Sequence, residues 1–275
     1  MLSNTESLAS FLARTESLAV LSGAGVSTAS GIPDYRDRNG DWKHAEPIQY
    51  QDFVRDGRSR QRYWARSYIG WRRFSKARPN AAHYALADLE ASGKVDTLIT
   101  QNVDRLHSAA GSRRVIDLHG DLSKVRCLGC NRIRARFDYQ QELKAANPGW
   151  HSQVFRYTPD GDAELADNSH HEFSVPACVE CDGIVKPDVV MFGESVPKDR
   201  VHDATTAIDR ADALLVVGSS LMLFSGYRFA RQAAEQRKPI AIVNHGQTRA
   251  DEIASLKVEA DCARALSTAL ELLAA

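Results

Sequence analysis

The sequence predicts an α/β protein: a doubly wound, mostly parallel sheet covered by helices on both faces and interrupted by a smaller inserted domain. Three observations carry this. Short apolar runs alternate with helix-patterned segments along most of the 275 residues, and strands alternating with helices imply a parallel sheet buried on both faces. Polar or glycine residues follow successive runs, at 23–27, 101–104, 119–120, 218–220 and 244–246; in such a sheet the carboxyl ends of the strands form the ligand crevice. The alternation lapses over 121–186, which holds four of the five cysteines.

Taken in order, residues 5–14 read as a short amphipathic helix with Leu8, Phe11 and Leu12 inward. Leu18 to Leu21 is an apolar run short enough for a buried strand, and it stops at Gly23-Ala24-Gly25. Gly31-Ile32-Pro33 ends any following helix after about two turns. Residues 41–90 lack strand patterning and predict helices near 47–58, 59–71 and 80–92, the last started by Pro79-Asn80 and stopped by Gly93. A strand over 95–100, a loop with a short helix to 110, and a strand over 114–118 follow. Beyond the interruption come a strand at 189–192, a helix at 198–211, a strand at 213–217, a helix at 224–236, a strand at 240–244 and a closing helix at 263–273. The large domain is thus assembled from 1–40, 80–120 and 187–275, while a helical module (41–79) and a cysteine-bearing module (121–186) make the small one.

Composition is that of an ordinary globular chain, 43% hydrophobic and 25% charged. Thirty-five basic residues balance thirty-five acidic ones, so overall charge gives no argument for nucleic acid or membrane. A local excess exists: 55–78 holds nine basic residues and one acid, most simply a solvated helical face. No apolar run approaches the roughly 20 residues of a membrane span. The first residues lack the pattern of an export signal, so a cytoplasmic location is the expectation.

Cys127-x-x-Cys130 and Cys178-x-x-Cys181 are two knuckles whose spacing lets four thiolates share one tetrahedral Zn²⁺, with a redox pair as the alternative. Four thiolates leave no open coordination position, so such a zinc is structural. The 47 residues between the knuckles form an excursion, and its His151, His170 and His171 read as surface residues. Gly23-Ala24-Gly25 after a strand suits a pyrophosphate-binding turn, but Thr28 occupies the third glycine position of G-x-G-x-x-G, and Asp34-Tyr35-Arg36 follow where a dehydrogenase would continue its helix. His119, at a strand end before a glycine, is placed as a general base in a crevice would be. A lone histidine there is more often structural. Its company argues otherwise: Thr100 to His107 packs Gln101, Asn102, Asp104 and His107 into one loop, a density suited to a polar ligand ring and an ordered water.

These motifs together resemble the sirtuins, the NAD-dependent protein deacylases. The resemblance rests on GAGVSTASGIPDYR at 23–36, TQNVDRLH at 100–107, HG at 119–120, the paired knuckles, KPDVVMFGE at 186–194, GSSL at 218–221 and VN at 243–244. They span nearly the whole chain in the family's order. RQRYWARSYIGW at 60–71, SGYRFA at 225–230 and the long insert with Pro159-Asp160-Gly161-Asp162 resemble the class II, mitochondrial sirtuin-four-like branch.

The resemblance implies a Rossmann-like NAD-binding domain with an inserted zinc-binding and helical domain, and it implies roles. Gly23, Ala24, Gly25 and Thr28 would hold the NAD phosphates. Pro33, Asp34, Tyr35 and Arg36 would close over the nicotinamide ribose. Asn102 and Asp104, with Gln101 and Ile32 beside them, would receive the nicotinamide carboxamide. Gly218, Ser219, Ser220 and Asn244 would take the adenosine ribose, with Cys262 near the adenine. Val189, Val190, Met191, Phe192, Gly193 and Glu194 would pair as a strand with an acylated-lysine peptide. The acyl oxygen would attack the nicotinamide ribose, and His119, with Asn102, would catalyse acyl transfer to ADP-ribose, consuming NAD. Tyr63-x-x-Arg66 shares a helix face, and class II members that remove acidic acyl groups present such a pair in the acyl tunnel. Arg66 would then pair with an acyl carboxylate; otherwise it belongs to the basic face. Two further readings are protein mono-ADP-ribosyltransfer and a non-catalytic NAD-sensing zinc scaffold. His119 and Asn102 count against the scaffold, which needs neither.

Overall fold

A computed structural model describes residues 4–43, 47–166 and 169–274. Its elements are α1 (Asn4–Arg14), β1 (Leu18–Ser22), a 3₁₀ turn (Ala24–Ser30), α2 (Tyr50–Arg55), α3 (Gly57–Phe74), α4 (Ala81–Ala91), β2 (Val95–Thr100), α5 (Leu106–Ala109), β3 (Val115–Asp117), β4 (Gly120–Cys127), β5 (Ile133–Ala135), α6 (Arg136–Ala146), β6 (Val154–Tyr157), β7 (Ala163–Leu165), β8 (Val185–Val189), α7 (Lys198–Arg210), β9 (Ala213–Val217), α8 (Phe224–Glu235), β10 (Ile240–Val243), β11 (Leu256–Val258) and α9 (Cys262–Ala274).

The large sheet is parallel throughout, in the order β11-β10-β9-β1-β2-β3. The chain winds outward from β1 in one direction and from β9 in the other. Their shared carboxyl edge is therefore the point where the strand order reverses and a ligand crevice opens. Strand alternation explains why β1 is apolar at four successive positions. Leu18 and Val20 face one core with α1, α4 and α9, while Ala19 and Leu21 face the other with α7 and α8. Every residue of β1 is buried, as a central strand covered on both faces requires.

Two helix starts, those of α3 and α4, carry side-chain caps. Asn80 accepts from the Ala82 amide at 2.9 Å while His83 Nδ1 accepts from the Asn80 amide at 3.2 Å, closing a reciprocal cap on α4. The two helices expected at 47–58 and 59–71 divide at Asp56 instead. Its carboxylate accepts from the Arg58 and Ser59 amides, each at 3.0 Å, and so starts α3.

A second sheet, β5-β4-β8, is antiparallel, and β6-β7 is a separate hairpin. These pack with α2, α3 and α6 around a third core containing Phe53, Trp64, Tyr139 and Phe173. One expectation fails here. The strand placed at 189–192 lies over Val185–Val189 and belongs to this smaller sheet. Pro187 is tolerated because β8 is an edge strand. The Val190 amide still donates to the His119 carbonyl at 2.7 Å, but beyond it the Glu194 carboxylate takes the Met191 amide at 2.9 Å and Gly193 turns at φ +77°, so residues 191–194 leave the ladder. Strand β11 and the β6-β7 hairpin had no counterpart in the sequence reading. Among the described residues no helix is long and apolar enough to cross a membrane.

Candidate active site

The turn after β1 and the turn after β9 touch through their backbones. The Gly25 amide donates to the Gly218 carbonyl at 2.8 Å. A Cβ on Gly23 would fall 2.7 Å from Ser219 Cβ, and one on Gly25 2.9 Å from Gly218 Cα. Gly218 itself sits at φ +61°, where a side chain would meet the Val26 amide. Glycine is thus required by contact at three positions, leaving bare backbone facing the crevice. The first turn is 3₁₀ and ends at Gly31, φ +82°, after which Ile32 to Arg36 fold back over the opening.

The loop after β2 forms a connected polar floor. Asn102 Nδ2 donates to the Gly23 carbonyl and to Ser27 Oγ, both at 3.1 Å. Ser27 Oγ in turn donates to Asp104 Oδ2 at 2.6 Å. Burial raises the Asp104 carboxyl above its ordinary range. Beneath, the Asn102 amide and Ser22 Oγ both donate to Thr100 Oγ1, and Ser22 Oγ lies 2.8 Å from His107 Nε2. The rings of His83 and His107 lie 4.8 Å apart.

His119 Nδ1 is 3.0 Å from the Gln101 carbonyl, and Nε2 is 3.0 Å from Ser225 Oγ. A carbonyl can only accept, so Nδ1 carries the hydrogen and Nε2 the lone pair, to which the Ser225 hydroxyl donates. Burial lowers the imidazole to about 4. It is therefore neutral near pH 7 with its basic nitrogen turned toward a hydroxyl.

His83 is likewise pushed down to about 4 by burial, and His107 well below its ordinary value. The sign follows from linkage. A histidine whose folded pKa lies below its unfolded one adds stability above about pH 6.5, and this is lost as pH falls toward 4. The buried carboxyls Asp104 and Asp162, both raised by burial, act in the opposite sense. Comparison with a variant isolates one group. His83→Gln should lose stability less steeply than wild type between pH 6.5 and 4, by roughly 3 kcal/mol over the window. Urea unfolding across that range measures it, and parallel curves would contradict it.

One cavity of about 400 Å³ collects most of the expected residues: Gly23, Ala24, Gly25, Ile32, Asp34, Tyr35, Arg36, Tyr63, Gln101, Asn102, Asp104, His119, Val189 to Glu194, Gly218, Ser219, Ser220 and Asn244. The 189–194 wall is pinned by Lys186, a buried ammonium that donates to the Pro187 carbonyl at 3.1 Å, to the Val189 carbonyl, and pairs with Glu194 at 3.0 Å.

Four expected residues stand apart. Thr28 is exposed and, with Pro33, lines an adjoining groove. Cys262 lies behind the wall, its Sγ 3.7 Å from the Val243 carbonyl. Arg66 is 9% exposed, off the cavity, its Nε donating to the Ala163 carbonyl at 3.2 Å. It is buried rather than on a solvated face.

Other lining residues were not anticipated. Ser27 lay inside the glycine motif and Ser225 inside SGYRFA, so both were visible but unassigned. Pro159 and Asp160 come from the turn between β6 and β7, which brings the long insert back to the cavity wall.

The four cysteine sulfurs all lie within 4.8 Å of one another. Cys127 and Cys181 are 3.4 Å apart, Cys130 and Cys178 3.8 Å. Four thiolates around Zn²⁺ at about 2.3 Å imply sulfur separations near 3.8 Å, so the set fits that ion. The knuckles repeat one backbone pattern: the Asn131 amide donates to the Cys127 carbonyl and the Asp182 amide to the Cys178 carbonyl. Gly129 and Gly183 pack against the sulfurs. None of the four cysteines lines the cavity, which makes the ion structural.

A Rossmann-like parallel sheet with a glycine cradle, a half-buried neutral imidazole and a four-cysteine zinc knot defines a class, the sirtuins. The comparisons agree. Residues 23–225 match the model of the Sir2 family. The chain is 55% identical over 260 residues to the NAD-dependent protein deacetylase of Xanthomonas campestris pv. campestris (strain 8004), covering 94% of this chain and 89% of that one. It is 47% identical over 259 residues to the human NAD-dependent protein lipoamidase sirtuin-4, mitochondrial, covering 93% and 82%. A solved complex of Sir2 with a p53 peptide and NAD⁺ superposes with a TM-score of 0.78 at 30% identity, covering 98% of both chains. The chain belongs to the Sir2 family.

Proposed function

We propose that this chain is an NAD-dependent protein-lysine deacylase, transferring the acyl group of an acylated lysine to ADP-ribose with release of nicotinamide and free lysine. The carrying observation is that one cavity is walled at once by the glycine cradle, the Asn102–Asp104 pair, the His119 base and the pinned 189–194 segment. Bound NAD supplies a ribose carbon activated by its nicotinamide leaving group. Gly23, Ala24, Gly25 and Thr28 hold the phosphates, on a turn whose Gly23 and Gly25 amides are tied to the Val217 and Gly218 carbonyls and so fix its shape. Ile32, Asn102 and Asp104 receive the carboxamide, with Gln101 beside them. Pro33 to Arg36 cover the ribose. Gly218, Ser219, Ser220 and Asn244 bind the adenosine side, with Cys262 behind it.

A ribose hydroxyl that replaces Ser225 at His119 Nε2 meets the lone pair, and the imidazole takes its proton there. The Gln101 carbonyl then faces the Nδ1–H of an imidazolium, which it stabilises. The acylated lysine's backbone adds along 189–194 through hydrogen bonds that tolerate many sequences.

The 47% identity to human sirtuin-4, together with the long insert, supports a place in the class II, sirtuin-four-like branch. The partners are acylated-lysine proteins or peptides, not nucleic acid or membrane, and the compartment is the cytoplasm. Segments 1–40, 80–120 and 187–275 form the NAD-binding domain, and 41–79 with 121–186 the small domain.

Isotopically labelled NAD and an acyl-lysine peptide test the reading. Label in O-acyl-ADP-ribose supports deacylation, whereas label retained on protein supports ADP-ribosyl transfer.

A further inference from the structure

The β6-β7 turn is locked in place rather than draped over the surface. A Cβ on Gly70 of α3 would run into the backbone of Gly161 and Asp162, and Gly161, at φ +78°, packs against Phe74 and Leu122. This seating puts Pro159 and Asp160 on the cavity wall beside Tyr63 and Phe74. The Asp160 carboxylate is oriented by the Thr158 hydroxyl, which donates at 2.5 Å. Among the described residues no lysine, arginine or histidine nitrogen comes within 4.0 Å of it. The cation expected to read an acidic acyl group, Arg66, does not line the cavity, and its Nε donates to the Ala163 carbonyl. The phenols of Tyr35 and Tyr63, both cavity-lining, are held up first by burial and also by the charges of Asp160 and Asp162, so the acidic turn is felt across this end of the cavity.

We infer that Asp160 is a specificity-determining residue that disfavours lysine acyl groups ending in a carboxylate and selects neutral ones. The inference rests on the deacylase reading above and adds the chemical class of its acyl substrate. A carboxylate at the end of a succinyl-type chain would meet a fixed like charge beside apolar rings, where water screens poorly. A neutral acyl group of the same length meets no such repulsion and can donate a hydrogen bond to Asp160 if it ends in an amide or hydroxyl.

The test uses the zinc-loaded full chain with saturating NAD and one peptide carrying acetyl-, succinyl- or succinamoyl-lysine. The last two differ only by carboxylate against carboxamide. The readout is the ratio of kcat/KM for succinamoyl over succinyl within each protein, so a general loss in a variant cancels. Wild type should show a ratio of about tenfold or more, and Asp160→Asn should bring it several-fold closer to one. Asp160→Ser provides a second uncharged variant should the first fail to fold. A wild-type ratio near one overturns the inference, with no variant needed. So does a large ratio that the variants leave unchanged, because the discrimination would then lie elsewhere. Absence of turnover for all three peptides, acetyl included, would instead remove the deacylase reading, and the inference with it.

Discussion

Stripping the metal should unfold the region around the cysteines and end activity with it. A structural zinc contributes an apparent 10–16 kcal/mol at neutral pH, about as much as the whole 5–15 kcal/mol stability of a typical domain. Here the ion would join the end of β4 to the loop before β8. Those two strands pair directly, and the 189–194 wall continues from β8. Loss of the knot therefore propagates to the cavity through the backbone, although no cysteine of the knot touches it. Purified protein should carry about one Zn²⁺ per chain. Cys127→Ser, or prolonged chelation, should give a metal-free form with reduced helix and strand signal and no turnover. Metal-free protein that keeps its melting temperature and activity would contradict this.

His119→Ala should cost about 10²–10⁴ in turnover, the usual loss of a general base. The fold should survive, because the side chain bonds only a loop carbonyl and one serine hydroxyl. NAD binding should also survive, since the glycine cradle owes nothing to the imidazole. Calorimetric titration with NAD, beside a rate assay, separates the two. Near-wild-type turnover would take His119 out of the chemistry, while lost NAD affinity would make it a binding residue.

How much of this was legible in the sequence depends on where the determining forces lie. β1, β2, β9 and β10 were readable because a central parallel strand is apolar on both faces, and that leaves a run such as Leu18 to Leu21. The cradle was readable because backbone contact demands glycine at 23, 25 and 218. The β6-β7 hairpin was not: its strands are four and three residues long and partly exposed, and their position depends on Gly70 of a distant helix. The sequence places β8 too late because the apolar run sits at 189–192, whereas the paired segment, Val185–Val189, carries Lys186, Pro187 and Asp188. A side-chain carboxylate, Glu194, ends the ladder early. Arg66 shows the same limit. Helical spacing correctly placed it on a face with Tyr63, but only the tertiary fold sets Ala163 across from one and the cavity across from the other. Asp160 was printed in a motif, and nothing local marked it as part of the site.

The most direct measurement is stoichiometry. An acylated-lysine peptide, NAD and the zinc-loaded protein are mixed, and free lysine peptide, nicotinamide and O-acyl-ADP-ribose are quantified by mass spectrometry over time. Equal amounts of all three, with no lysine freed when NAD is omitted, is the expected result. Lysine freed without NAD, or nicotinamide released while the peptide stays acylated, would contradict NAD-dependent deacylation.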